Sequence, residues 1–211
     1  MSTSYDVTFN NQTATTWTLV LYITLPAGSG LASVSWKQAS VAPNGIGSLS
    51  WTDNSYAVLG TAKSFNGVPG FALSQAVSAP PDTGWNIVVQ NSVQQLVAAG
   101  APLLKGTIQI NNVSSRNANP GFGLDGAGAL YKSNLASGLS IQLTPQPQYW
   151  AMLAEQMSVG EVITVAGLPS TKLTAAAFTP PQALSFPNGQ TSATVTASMS
   201  GEALIVAITY P

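Results

Sequence analysis

The chain has 211 residues, 45% of them apolar, and contains neither cysteine nor histidine. That length suits one large all-β domain or two small ones. The two missing residue types exclude disulfides, thiolate nucleophiles, Ser-His-Asp catalysis and the commonest transition-metal ligand.

Seven acidic and six basic side chains leave a net charge of −1. Surface scaling gives the folded chain roughly 9,200 Å² to cover, so Ser, Thr, Asn, Gln and Gly must do most of the covering. Such a surface is hydrated but repels a copy of itself only weakly. It fits designed assembly and an ordinary low-charge secreted β protein equally well. Lys37, Lys63, Lys105, Arg116, Lys132 and Lys172 are scattered, so no basic run exists to neutralise the phosphates of a nucleic acid.

Along the chain the apolar residues recur with the period of strands. In "YDVTF", Tyr5, Val7 and Phe9 alternate with Asp6 and Thr8. That opening has neither a basic region nor an apolar core, so no signal peptide is expected in it. In "TWTLVLYITL" the set Trp17, Leu19, Leu21, Ile23 and Leu25 shares one face; the stretch is too short for a membrane helix. "IGSLSW", "GWNIVVQ", "KGTIQIN", "LSIQLT", "EVITV", "TSATVTA" and "ALIVAITY" continue the alternation. Turn signals separate them: "LPAGSG", "APNG", "FNGVPG", "APPDTG", "NANPG" and "FPNGQ". Only "QYWAMLAEQM", residues 148–157, has the composition of a helix.

The expected fold is therefore all-β and β-sandwich-like, with many short antiparallel strands and at most one short helix near 148–157. It forms a single β-rich domain over 1–211, or two pseudo-repeated β halves of about 1–100 and 105–211. A weak echo supports the repeat: "PGFALS" at 69–74 and "PGFGLD" at 120–125 share Pro-Gly-Phe-x-Leu, each followed by a glycine that opens a strand. Pro-Gly turns are common enough in β proteins to arise twice by chance.

"PGFGLDGAGALY" contains a literal G-x-G-x-x-G at Gly121, Gly123 and Gly126. A dinucleotide loop needs a buried strand before it, a helix after it and an acid about 20 residues on. Here a polar loop precedes it, no amphipathic helix follows, and no acid falls between Asp125 and Glu155. The glycines, with Gly128, instead leave one sheet face bare so that a backbone or an aromatic ring can approach.

With "LSIQLTPQPQYWAML" and "GEVITV", this stretch resembles the C-terminal half of the bacterial rhizosphere-induced protein family. Its members show Gly-x-Gly-x-x-Gly-x-Gly, Thr-Pro-x-Pro-x-Tyr-Trp and Gly-Glu-Val in that order. "YDVTFNNQT", "VSWKQASVAPNG" and "SLSWTDNSYAVL" resemble the family's N-terminal half more loosely. The resemblance implies an all-β protein of bacteria that live among other organisms, and it supplies no mechanism. Two positions depart from the pattern: Gln146 stands where the family carries histidine, and Asp125 where a non-acidic residue is expected.

Three candidate sites remain. Glu155 and Glu161 are the only acids close in sequence, as a glycosidase pair would be, but each reads equally well as a solvent-facing charge. Among the aromatics, Trp17, Trp36 and Trp85 sit in alternating apolar sets and read as core. Tyr149 and Trp150, flanked by "PQPQ", are the candidate binding surface for sugar rings or a lipid headgroup layer; as neighbours on a strand they must face opposite ways. The third is the terminal strand Ala203, Leu204, Ile205, Val206, Ala207, Ile208, Thr209 and Tyr210, which either completes its own sheet or pairs with a neighbour's edge, "YDVTF" offering a partner.

No catalytic, cofactor-binding or metal-binding residues are expected. The function these features support is non-enzymatic: self-assembly or binding at the cell exterior, as a homo-oligomer or polymer, with a glycan or lipid surface as a further partner. The alternative is a membrane- or glycan-binding toxin of pore-forming or insecticidal type.

Overall fold

The computed structural model describes residues 2–26, 30–163 and 178–211. Lys172 and the last two residues of "EVITV" lie outside the described residues. The chain is all-β. Its strands are β1 (Ser4–Asn11), β2 (Trp17–Thr24), β3 (Ala32–Val34), β4 (Lys37–Val41), β5 (Ile46–Thr52) and β6 (Ser55–Phe65). Next come β7 (Val68–Ser78), β8 (Thr83–Gln90), β9 (Val93–Ala99), β10 (Ile108–Asn112), β11 (Pro120–Leu124) and β12 (Ala127–Tyr131). The last are β13 (Ser140–Leu143), β14 (Gln148–Ala154), β15 (Val162–Ile163), β16 (Gln182–Leu184), β17 (Ser192–Ser200) and β18 (Ala203–Thr209), with one 3-10 turn at Pro187–Gly189.

The segment with helical composition is strand β14. Its apolar run arises because both faces are covered: Tyr149, Ala151 and Leu153 join the main core, while Met152 and Ala154 join a smaller cluster with Val20 and Tyr22. A strand buried on both sides loses its alternation and cannot be told from a helix by periodicity.

Four sheets result, in the orders β18-β17-β1-β5, β16-β14-β2-β4, β13-β10-β8-β9 and β15-β3-β12-β11-β6-β7. The first and third repeat one design. Each has a central parallel pair, β1 with β17 and β10 with β8. Each also has a hairpin on one side and an antiparallel strand on the other. Similarly, β14 with β16 lies against β2 as β6 with β7 lies against β11. In both cases the early strands of one half pair with the late strands of the other. The Pro-Gly-Phe-x-Leu echo is not part of this correspondence: one copy lies in edge strand β7, the other in β11 between two neighbours.

The β1–β5 sheet packs its inner face on the β2–β4 sheet, since the Trp51 ring of β5 lies 5.3 Å from the Tyr149 ring of β14. Inward residues of all four sheets, among them Phe9, Leu19, Ile87, Ile110 and Phe122, form one continuous cluster with Trp36 from the β3–β4 connection. Trp17 and Trp36 are buried in this cluster, and Trp85 packs against it partly buried.

The outer faces carry rows of short polar side chains. Thr8 lies between Ser48 and Thr194, and Asp6 between Ser50 and Ser192. On the equivalent sheet Asn111 lies between Ser140 and Asn86; its amide donates to Asn86 (3.0 Å) and its oxygen accepts from Gln109 (2.7 Å). Neighbouring strands present matching short side chains, and Asn111 and Asn86 bond across the sheet.

The glycine stretch is the β11–β12 hairpin. Asp125 and Gly126 both have positive φ, 53° and 74°, the two-residue turn that suits the twist of paired strands. The bared face takes an aromatic ring: Tyr131 lies over Gly60 and Gly128, with Phe71 stacked on it at 4.8 Å. Asp125 is held structurally, by Lys37 at 3.1 Å and the Thr52 hydroxyl at 3.1 Å.

Candidate functional site

Period-2 geometry sends Tyr149 and Trp150 to opposite faces of β14. Trp150 points outward, half-buried, stacked on Tyr22 at 6.2 Å, and its indole N–H donates to the Thr24 hydroxyl at 3.1 Å. Tyr149 points inward and is only 9% exposed.

Around Tyr149 the fold assembles rings from five separate parts of the chain. β1 and β5 pair Tyr5 directly opposite Trp51, and their rings stack at 5.4 Å. Tyr149 meets Tyr5 at 5.5 Å, and Trp36 meets Trp51 edge-on at 5.5 Å. Phe186 closes on Tyr5 at 4.9 Å, and Tyr210 on Phe186 at 6.0 Å. Phe186 holds φ at 41°, a left-handed conformation that costs a bulky residue of order 1–3 kcal/mol. Its contacts with four rings, Tyr5, Trp51, Tyr149 and Tyr210, offset that cost.

Two clefts open beside this stack and share Tyr5, Tyr149 and Pro147 as a wall. One, about 670 Å³, is also lined by Asp53, Asn54 and Pro80. The other, about 630 Å³, is lined by Gln148, Phe186, Gln190 and Thr191. Gln146 is exposed between Pro145 and Pro147, both of which line the first cleft.

Burial pushes the Tyr149 phenol up to about 12. The Trp51 indole N–H beside it offsets part of this, although its geometry falls short of a full hydrogen bond, and Tyr5 and Asp53 add to the rise. Tyr131 is raised further, also by burial. Both hydroxyls therefore stay neutral through physiological pH. A tyrosine whose folded pKa lies above its unfolded value of 10 contributes stability that is complete below pH 10 and lost as pH rises toward 12. Urea titrations are expected to show stability falling by about 2–3 kcal/mol over that range for Tyr149. In Tyr149→Phe the fall is expected to be smaller.

The acidic pair does not form a common surface: Glu155 is exposed after β14, whereas Glu161 is 1% exposed. Glu161 lines a separate cleft of about 480 Å³ with Thr18, Gln38 and Ser40. Among the described residues, no three of Asp, Glu, Cys and His come together to hold a metal ion.

The terminal strand β18 pairs with β17 in its own sheet, and "YDVTF" is no open edge, because β1 lies between β17 and β5. Among the described residues no strand pairs with the outer edge of β18. Ala197 gives its carbonyl to the Gln12 N–H on the β1 side. Its partner Val206, with Leu204 and Ile208, therefore turns its backbone groups away from β17. Of these, the Val206 carbonyl accepts the Gln182 side-chain amide at 2.9 Å.

The fold and its surface define a class: a cysteine-free, charge-poor all-β protein whose aromatic core reaches the surface between two clefts. The chain belongs to the RhiA family, whose model matches residues 2–207. Neither a curated protein nor a solved structure gives a significant match.

Proposed function

We propose that the protein acts without catalysis, by association with copies of itself at the cell exterior, and that the outer edge of β18 is the contact between copies. The observation that supports this reading is the composition of that edge. Ala203–Thr209 carries no charge and no proline, the two devices that most often block edge-to-edge pairing. Ile205 is 45% exposed and Met199 beside the hairpin 50%. The uncharged Ser/Thr and Asn/Gln faces lower the electrostatic barrier to close approach.

Gln182 opposes pairing, since its amide occupies an acceptor which a second strand would need. Sedimentation velocity over a wide concentration range tests the reading. Gln182→Ala is expected to strengthen self-association about tenfold, and Ile205→Lys to weaken it at least as much. Wild-type protein that stays monomeric at every concentration, or variants that leave association unchanged, would exclude β18 as the contact.

A further inference from the structure

We infer that the cleft between Tyr5, Tyr149 and Asp53 is a binding site for a neutral glycan. The inference does not depend on self-association, because β18 lines neither cleft.

Polar groups converge there in the form that sugar hydroxyls require. Asp53 is fixed by the Thr3 N–H, which donates to one carboxylate oxygen at 2.8 Å. Asn54, Ser2, Ser55 and Ser78 line the same space. The Tyr5 and Tyr149 rings lie 5.5 Å apart, and Asp53 lines the same cleft with them. The phenol of Tyr149 stays protonated, and a neutral hydroxyl both donates and accepts. A carboxylate beside an amide suits adjacent hydroxyls of a pyranose, since hydrogen bonds to a charged acceptor are the strong ones. Pro80, Pro81, Pro145 and Pro147 give the apolar surface on which the C–H face of a sugar can rest.

Other ligand classes fit less well. Among the described residues no Lys or Arg lines either cleft, so an anion would meet the Asp53 carboxylate without a described cation to balance it. A quaternary ammonium needs open aromatic faces around one point. Here Tyr5 spends its faces on Trp51 and Phe186, leaving hydroxyls and ring edges for the cleft. The site is also preorganised: the rings are locked by their neighbours, so little side-chain freedom is lost on binding.

Saturation-transfer NMR on the full chain tests this, with the methyl glycosides of glucose, galactose, mannose and N-acetylglucosamine as probes. Each is used at about 10 mM, where a millimolar site is well occupied. At least one is expected to receive saturation. In the double variant Asp53→Asn with Asn54→Ala, its affinity is expected to fall about tenfold or more. Near-UV circular dichroism of the Trp51 stack reports that the fold is retained. No transfer to any glycoside, transfer unchanged in the folded double variant, or displacement of the glycoside by tetramethylammonium would overturn the assignment.

Discussion

Gly121→Ala is expected to destabilise the protein by at least ~3 kcal/mol, beyond the usual range for a single added methyl in a core. β11 is flanked by β6 and β12 and all five of its residues are buried. A Cβ at Gly121 would fall onto the backbone carbonyl of Leu130, so no rotamer change relieves it and the β11–β12 pair must separate. At Gly128 the same atom would meet the Tyr131 hydroxyl, whose ring is pinned between Gly60 and Phe71. Gly126 supplies the contrast. It has open space around it and φ of 74°, so Gly126→Ala costs only backbone strain, about 1 kcal/mol. Urea midpoints for the three variants should fall in two classes, Gly121 and Gly128 low and Gly126 near wild type. Similar midpoints for all three would mean that close approach is not what Gly121 and Gly128 provide.

That hairpin shows how far the sequence carries. The alternating glycines, read against a missing helix and a missing acid, are enough to reject a nucleotide loop and to expect a backbone or an aromatic ring in close approach. They did not identify Tyr131, because the ring and Gly60 are brought together by sheet order, which no local pattern records. Half-buried strands such as β1, β5 and β17 were legible from period 2. β14 was not, because both of its faces are covered. The aromatic site was legible only through Tyr149. Tyr5 and Asp53 reach it through the β1–β5 pairing and Phe186 through the turn before β17, and strands paired across intervening elements leave no hairpin signal in the sequence. One available signal was missed: "NNQTAT" and "NNVSSR", each after an alternating strand, mark equivalent ends of β1 and β10.

These two short stretches make the same cluster, and Asn11→Ala and Asn112→Ala are each expected to cost about 2–4 kcal/mol. Both asparagines are fully buried. The Asn11 amide donates to the carbonyls of Thr15 (2.8 Å), Val41 (3.0 Å) and Ala42 (3.1 Å), and its oxygen accepts from the Thr13 hydroxyl (2.8 Å). The Asn112 amide donates to the carbonyls of Arg116 and Leu135, both at 2.8 Å, and its oxygen accepts from the Ser114 hydroxyl (2.6 Å). In each case the side chain ties the connection after its own strand to a strand or turn of the facing sheet. Truncation leaves several buried carbonyls without donors, and an unsatisfied buried polar group costs about 1–3 kcal/mol. The aspartate variants should be worse than alanine, because a carboxylate oxygen would replace the amide donor and face those carbonyls directly. The clusters lie in different sheets and share no partner, so the double alanine variant should lose the sum. Chemical denaturation of the five variants measures this. A loss at Asn11 without one at Asn112 would mean that the matching bonds serve only one of the two equivalent sheets, and that the other is held at this end by its apolar contacts alone.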